Sequence, residues 1–312
     1  MRKAHLIAGA LLAMAALASG LWSAVAQESS STGVPVHVVV TVEPRHGSNV
    51  PVINREDVMV YQGHDRAKVT DWLPLQGEHA GLQLFILIDD ADSTSLGSQL
   101  EDMRQFINAQ PSTTAIGVAY MRNGTADILQ NPTNDHTQAA KALRLPLGDA
   151  GASGSPYFSV VDLIKRWPEG AVRREILMVS DGIDRFGGGG PSNPYVDSAI
   201  EEAQRAGVII YSIYTPGVGH YGHSFWRMNW GQNYLSQISD ETGGESFYLG
   251  FGAPVSFAPY LDDLNHRLTR QYLLTFLAKP ERKAGFQQFK LRTEVPNAEL
   301  VAADRVYVPA GL

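Results

Sequence analysis

The chain has 312 residues and a formal net charge of −7, and 44% of its residues are hydrophobic while 18% are charged. This composition, with 30 glycines and 17 prolines to form turns, is typical of a globular protein and excludes a disordered chain, a collagen-like repeat and a coiled coil. The acidic balance argues against nucleic-acid binding, which needs clustered lysine and arginine. Because there is no cysteine, disulfides, thiolate catalysis and cysteine-ligated metal sites are excluded.

Residues 1–26 have the pattern of a secretory signal peptide. Arg2 and Lys3 precede an apolar stretch at residues 6–22, and Ala24-Val25-Ala26 has the small-x-small pattern of a cleavage site. We predict cleavage after Ala26; the alternative is an uncleaved anchor, although the apolar stretch is shorter than the roughly 20 residues of a membrane span. The mature protein is therefore expected to be extracytoplasmic, either periplasmic or secreted, with no transmembrane segment after cleavage.

Residues 27–80 are predicted to form an N-terminal β-segment. Valine recurs at every second position from Val34 to Val42, which is the period of a half-buried strand. Two further β-like runs, 57–61 and 68–72, are separated by turn residues. Short strands with such turns favour a small β-sandwich before Gly81.

Residues 81–269 are predicted to form an α/β domain, because continuous apolar runs alternate with helical patterns. The predicted strands are 84–88, 115–121, 176–179, 208–213 and 246–249, and the helices are 96–107, 156–167, 193–206, 235–242 and 259–268. Apolar strands that alternate with helices indicate a mostly parallel sheet with helices on both faces. Residues 270–312 return to a strand pattern, and we expect this C-terminal β-tail to pack with the N-terminal β-segment.

Acidic residues follow two of the apolar strands, at Asp89-Asp90-Ala91-Asp92-Ser93 and at Ser180-Asp181-Gly182-Ile183-Asp184. Ligands of open α/β sheets bind outside the carboxyl ends of the strands, and carboxylates with hydroxyls suit Mg²⁺, Mn²⁺ or Ca²⁺. Helix capping is an alternative of at least equal weight for each of Asp92, Ser93 and Ser95. Asp89 and Asp181 directly follow apolar runs, where an unpaired carboxylate is costly, so we expect these two to meet in one site.

These residues resemble the metal-ion-dependent adhesion site of the von Willebrand factor A (VWFA) domain, which reads D-x-S-x-S after the first strand, Thr in a second loop and Asp after a later strand. The chain has Asp89-x-Ala91-x-Ser93, Ser155 and Ser180-Asp181-Gly182 at these places. The order of four other segments is similar to that in VWFA-related proteins of the acidobacterial type. These segments are Asn54 to Gly63, Glu241-Thr242-Gly243-Gly244, Arg270-Gln271-Tyr272 and Arg305-Val306-Tyr307.

The resemblance implies a Rossmann-like VWFA domain that binds another protein through a divalent cation, Mg²⁺ or else Ca²⁺ or Mn²⁺. The implied ligands are Asp89, Ser93, Ser155 and Asp181, with Asp90, Asp92 and Asp184 in supporting positions. Ala91 stands where the family has a ligand serine, and Ser155 stands where it has threonine. Two versions of the function are therefore open, a degenerate metal-dependent adhesion site and a metal-free interaction domain.

Two segments are predicted to form the rim of this site. Gly187 and Gly188 begin a run of four glycines that lets a large partner approach. Phe225, Trp226 and Trp230 lie in a predicted loop before the helix at residues 235–242. These aromatic residues either tuck the loop onto the domain or act as exposed anchors, which often dominate the binding energy of an interface.

A phosphatase is the alternative from another class, because Asp90-x-Asp92-x-Thr94 resembles the D-x-D-x-T motif of haloacid-dehalogenase-type enzymes. Asp90 would then be the nucleophile, Asp92 the general acid and Lys165 the phosphate-binding residue, with Mg²⁺ held by Asp181 and Asp184. That family expects Ser or Thr after an intervening strand, where this chain has Arg122-Asn123. We therefore favour protein binding without catalysis.

Overall fold

The computed structural model describes residues 33–94, 96–148, 154–167, 173–187, 190–217 and 224–311. The predicted signal peptide, Ser95 and Gly188 lie outside these residues. No helix within the described ranges is both long and apolar enough to cross a membrane.

The N-terminal β-segment contributes three strands, which are β1 (Val34–Pro44), β2 (Met59–Gln62) and β3 (Asp65–Pro74). The alternation in β1 places Val36, Val38, Val40 and Val42 in an apolar core. As the period of two predicts, the intervening residues lie on the opposite face of the strand.

The central sheet has six strands in the order β6-β5-β4-β7-β8-β9. These strands are β4 (Leu82–Asp89), β5 (Thr114–Arg122), β6 (Thr125–Thr133), β7 (Arg173–Ser180), β8 (Val208–Tyr214) and β9 (Ser246–Phe247). All neighbours are parallel except β6, which runs antiparallel to β5 at the edge. The carboxyl ends of β4, β7 and β8 therefore lie side by side along one edge of the sheet, here called the carboxyl edge.

Within the described ranges, six helices cover the central sheet. They are α1 (Gly97–Ala109), α2 (His136–Lys141), α3 (Pro156–Lys165), α4 (Pro194–Ala206), α5 (Phe225–Thr242) and α6 (Ala258–Thr269). Residues of α1, α2 and α6 share one apolar core with the sheet, and those of α3, α4 and α5 share another. Helices thus cover both faces, as the alternating pattern predicts.

Strand β6 and helix α2 are absent from the sequence-based expectations. The turn between β5 and β6 is Asn123-Gly124, and both residues have positive φ angles, 51° and 73°. Asn-Gly is the preferred pair in a two-residue hairpin turn with this geometry. The hairpin therefore has a local sequence signal, although no hairpin is among the elements predicted above.

The C-terminal residues form five more strands, which are β10 (Gln271–Ala278), β11 (Gly285–Gln288), β12 (Lys290–Arg292), β13 (Ala298–Val301) and β14 (Arg305–Val308). They join the N-terminal strands in a second six-stranded sheet with the order β12-β2-β3-β10-β1-β13, while β11 and β14 form a separate pair. Strand β10 lies between β1 and β3 and is antiparallel to both.

The α/β fold with flanking β-segments from both ends of the chain is therefore confirmed. The exact domain boundaries at residues 80/81 and 269/270 stay predictions.

Candidate functional site

Three buried aspartates meet at the carboxyl edge. Asp89 is the last residue of β4, Asp181 directly follows the neighbouring strand β7, and Asp92 lies in the turn after β4. Each offers a carboxylate oxygen, and these oxygens lie within 4.8 Å of one another, close enough to hold a metal ion. The expectation that Asp89 and Asp181 meet at neighbouring strand ends is confirmed.

Hydrogen bonds from the two strand ends fix the Asp89 carboxylate. Its Oδ1 accepts from the Ala91 amide at 2.9 Å, and its Oδ2 accepts from the Ser180 hydroxyl at 2.9 Å. Ser180 Oγ in turn accepts from the Gly182 amide at 3.0 Å. Ser180 thus ties the end of β4 to the turn after β7.

A buried arginine already supplies a positive charge to this cluster. The Arg185 side chain is only 4% exposed, and its Nη2 donates to Asp181 Oδ2 at 2.5 Å. Its Nη1 donates to Asp181 Oδ1 at 3.3 Å and lies 3.9 Å from Asp89 Oδ2. Arg185 therefore engages both oxygens of Asp181 and contacts a second member of the acidic cluster.

Burial and mutual repulsion raise the pKa of two carboxylates of the cluster despite the nearby guanidinium. Burial raises the pKa of Asp181 to about 6, although Arg185 opposes the shift. Burial, and then repulsion from Asp89 and Asp181, raises the pKa of Asp92 well above its usual range. Burial opposes the charge of Arg185, yet the carboxylates of Asp181 and Asp89 hold its pKa above the ordinary value. Burial therefore makes Asp92 and Asp181 easier to protonate than exposed aspartates.

Several buried oxygens at the cluster lack a hydrogen-bond partner, and two of them belong to Asp92 and Ser155. Asp92 Oδ2 accepts from the Thr215 hydroxyl, but Asp92 Oδ1 is unpaired. Ser155, at the N-terminus of α3, is fully buried and its Oγ is also unpaired. Ser155 lines a cavity of about 10 Å³ together with Asp89 and Arg185, a volume near that needed for one water molecule.

The predicted metal ligands and supporting residues are only partly brought together. Ser155 lies beside Asp89, and Ser93 is partly buried in the turn before α1. Asp92, predicted in a supporting position, is a member of the cluster itself. The full predicted ligand set stays a prediction.

Asp90 and Asp184 are engaged elsewhere. Arg144 donates to both oxygens of Asp90, at 2.6 and 2.8 Å. Asp184 accepts from the Phe186 and Gly187 amides at 2.8 and 3.0 Å, and from Asn193 Nδ2 at 2.7 Å. Both carboxylates thus hold loops in place, a role that favours their burial without a metal.

The phosphatase alternative does not gain support from this geometry. Arg144 occupies both oxygens of Asp90, which would have to be the free nucleophile. Lys165 is the last residue of α3, and a helix of this length places it about 15 Å from the end that carries Ser155.

The predicted aromatic loop is wrong, because Phe225, Trp226 and Trp230 belong to the first half of α5. Gly231 interrupts the helical pattern in the sequence. Its lack of a side chain is required by packing, since a Cβ there would collide with the carbonyl oxygen of Asp181. Phe225 and Trp226 are 55% and 67% exposed, whereas Trp230 packs against the core.

Sequence reasoning missed Arg185 and Thr215. Arg185 lies four positions after Asp181, but the sequence does not show whether its side chain turns toward the carboxylates or toward solvent. Thr215 directly follows β8 and has the sequence pattern that identified Asp89 and Asp181. That pattern is a polar residue at the end of an apolar strand.

Comparison with known proteins finds no matching family model and no matching curated protein. Among solved structures, the chain is similar to a von Willebrand factor type A protein from Catenulispora acidiphila, with 11% identity, a TM-score of 0.44, and coverage of 89% of this chain and 75% of the other. An aerotolerance-related membrane protein from Bacteroides fragilis has 15% identity and a TM-score of 0.41 over 60% of this chain and 98% of its own.

The von Willebrand factor domain of the pilus tip protein Mfa5 from Porphyromonas gingivalis has 13% identity and a TM-score of 0.37, over 59% of this chain and 93% of its own. The α/β fold is established by the strand order of the central sheet. Von Willebrand factor type A domains are among the solved structures that the chain resembles, as the sequence predicts.

Proposed function

We propose that this chain is an extracytoplasmic protein-binding module that captures its partner at the carboxyl edge. The distribution of exposed apolar side chains carries this proposal. Ten large hydrophobic residues are exposed among those that the structure describes, and eight of them lie in loops or helix starts next to the carboxyl ends of the parallel strands. The eight are Leu145, Leu147, Phe186, Phe225, Trp226, Tyr248, Leu249 and Val255; together they are called the apolar rim.

Part of the apolar rim is a contiguous aromatic patch. The Phe225 ring lies 5.7 Å from the Trp226 ring and 5.3 Å from the Phe251 ring, centre to centre. Gln232 Nε2 donates to the Gly250 carbonyl at 2.6 Å, which links α5 to the loop after β9. Large exposed aromatic patches mark interaction surfaces, and tryptophan is enriched among the residues that dominate binding energy.

In this proposal, Arg185 takes the place of a divalent cation. The guanidinium already engages Asp181 and approaches Asp89, so an ion at the same place would have to displace it. The acidic cluster then holds the rim loops together without a metal. The site residues support this version because the positive charge is supplied by the chain.

A metal-dependent site is the second candidate. It is supported by the unpaired Asp92 Oδ1 and Ser155 Oγ, two buried oxygens of the type that hard cations prefer. Mg²⁺, Ca²⁺ or Mn²⁺ would then be held by Asp89, Ser155 and Asp181, with Ser93 or Asp92.

A pull-down from the native cell envelope or medium tests the function. We expect specific captured proteins to be lost with Trp226→Ser but retained with Val52→Ser, which changes an exposed residue (78%) outside the apolar rim. Capture that survives a chelator supports the arginine version, and capture that a chelator abolishes supports the metal-dependent one. Equal capture by wild type and both variants would contradict binding through the rim.

A further inference from the structure

A groove that is separate from the acidic cluster lies at the junction between the central sheet and the β-segment. Its volume is about 370 Å³, within the range of roughly 300 to 1,000 Å³ that is usual for ligand sites. It is bordered by residues 35–39 of β1, the end of α4 and strand β14. We call it the junction groove. It contains no member of the acidic cluster or of the apolar rim.

The junction groove contains an unpaired strand edge. One edge of β1 pairs with β10 from Val34 to Thr41, whereas β13 covers the other edge only from Thr41 to Pro44. Among the described residues, no strand is hydrogen-bonded to the second edge of β1 before Thr41, although β14 passes close to β1 and borders the groove on that side. Residues 35–39 of β1 line the groove, and alternate residues of this stretch have backbone groups that point away from β10; Pro35 supplies only a carbonyl. Such an edge is a template for an added strand.

The groove is also rich in arginine. Arg174, Arg205 and Arg305 all line it, in a chain whose net charge is −7. Burial lowers the pKa of Arg174, with no carboxylate to oppose the shift. Arg305 has an ion pair with Glu241, at a long distance of 3.7 Å. The excess of positive charge in the groove therefore favours an acidic ligand.

Two of these guanidinium groups converge on one aromatic ring. The Cζ atoms of Arg205 and Arg305 lie 5.2 and 5.4 Å from the centre of the Phe286 ring. Arg205 also lies 4.5 Å from the ring centre of Tyr307. Aromatic contacts thus hold two positive charges at the β11–β14 pair, where an anionic group of a ligand would be stabilised.

Gln204 provides an acceptor in the same groove. Its Nε2 donates to the carbonyl of Glu241 at 2.6 Å, while its Oε1 is buried and has no hydrogen-bond partner. The residue is only 7% exposed. An unpaired buried acceptor is costly unless a ligand or water donates to it, and a peptide N–H is a suitable donor.

We propose that the junction groove binds an extended acidic peptide segment, which adds as a strand to the free edge of β1. Its backbone pairs with residues 35–39, its acidic side chains contact Arg174, Arg205 and Arg305, and one N–H reaches Gln204 Oε1. This binding is separate from partner capture at the apolar rim.

Calorimetry with three synthetic peptides tests the proposal. The capped peptide Val-Glu-Val-Glu-Val is expected to bind, and Val-Lys-Val-Lys-Val is not. Pro-Glu-Pro-Glu-Pro keeps the acidic charges but lacks three backbone N–H donors, and it is expected to bind about tenfold more weakly. Arg205→Ala is expected to weaken the first peptide about tenfold, whereas Arg66→Ala, an exposed arginine of β3 outside the groove, leaves it unchanged.

Several results would overturn the proposal. Equal binding of the proline peptide would show that charge alone is recognised, as would displacement of the first peptide by inorganic phosphate at equal concentration. Self-association in sedimentation that Arg205→Ala abolishes would identify a second copy of the chain as the occupant. If Arg205→Ala fails to fold by circular dichroism, Arg174→Ala replaces it.

Discussion

At the scale of single residues, Arg185 determines the chemistry of the acidic cluster. Its guanidinium donates to both oxygens of Asp181, and its side chain is almost fully buried. Breaking a buried ion pair by removing one partner typically costs about 3 to 5 kcal/mol, because the other charge is left unpaired. The cluster without Arg185 is therefore a set of uncompensated buried carboxylates.

Replacing this arginine is expected to create a metal site. Wild type should show no heat and no change in melting temperature with Mg²⁺, Ca²⁺ or Mn²⁺. Arg185→Gln should be destabilised by about 3 kcal/mol and regain stability when a divalent cation is added, because the ion then neutralises the three carboxylates. Calorimetry and thermal unfolding measure both effects.

The control is Arg144→Gln, which removes the arginine paired with Asp90 and leaves the acidic cluster intact. It should gain no stabilisation from cations. Stoichiometric binding of a divalent ion to wild type would contradict the role of Arg185 and favour the metal-dependent site.

The cluster also shows what residue patterns reveal and what they leave open. That Asp89 and Asp181 meet follows from two apolar runs and the parallel direction of their strands. The positions of Asp90 and Arg185 depend on where side chains point in irregular turns. The spacing of residues in the sequence does not reveal that direction. Asp90 is adjacent to Asp89 in sequence, yet it pairs with Arg144 instead of joining the cluster.

At the scale of elements, α5 owes its position to two glycines. A side chain at Gly231 would meet the carbonyl of Asp181, and one at Gly182 would meet the carbonyl of Gly231. Gly182 also has a positive φ of 66°. The helix backbone therefore lies directly against the turn that carries Asp181, and the helix and the acidic cluster are positioned together.

Gly231→Ala is expected to destabilise the protein although alanine is the better helix former by about 1 kcal/mol. The added methyl group must push α5 away from the Asp181 turn, and overpacking of this kind costs about 1 to 3 kcal/mol. Urea unfolding measures the change. Gly97→Ala, in the first turn of α1, where the Cβ has open space, should be neutral or stabilising. Equal effects of the two substitutions would argue against the close contact.

Element boundaries were predicted well where one apolar period continued and poorly where packing overrode it. The helix α4 begins after Asn193, whose side chain caps the Tyr195 amide, and ends at Gly207 with a φ of 66°, as the sequence predicts. The sequence does not predict the first half of α5 because Gly231 lowers the helix propensity of this segment. A glycine is needed there because the helix contacts the Asp181 turn, which only the structure shows.

At the scale of the whole molecule, a buried polar network joins the central sheet to the second six-stranded sheet. Arg173 donates to the carbonyl of Leu268 at 2.8 Å and to Gln271 Oε1 at 2.6 Å. Gln271 donates to the Tyr211 hydroxyl at 3.1 Å. Glu175 is fully buried within this network, 3.8 Å from Arg173 Nε.

Glu175 is expected to make stability depend on pH. Burial raises its pKa to about 7, against the ordinary value of 4.5, although Arg173 opposes the shift. The folded state therefore holds this proton more tightly than the unfolded state, and its contribution to stability is lost as pH rises from about 4.5 to about 7. A shift of this size corresponds to about 3 kcal/mol.

Urea unfolding between pH 5 and pH 8 checks this expectation. Glu175→Gln should gain stability relative to wild type as the pH rises, while Glu294→Gln, at an exposed position, should follow the wild-type curve. Parallel curves for wild type and Glu175→Gln would show that this carboxyl does not titrate in that range.

The guanidinium at the acidic cluster belongs to the same turn as Asp181, four positions further along. It cannot dissociate, be exchanged for another ion or be depleted by a scavenger in the surroundings. In the metal-free version of the proposed function, partner binding therefore relies on a charge that the chain itself carries. We expect binding of this kind to be independent of the concentration of divalent ions in the medium.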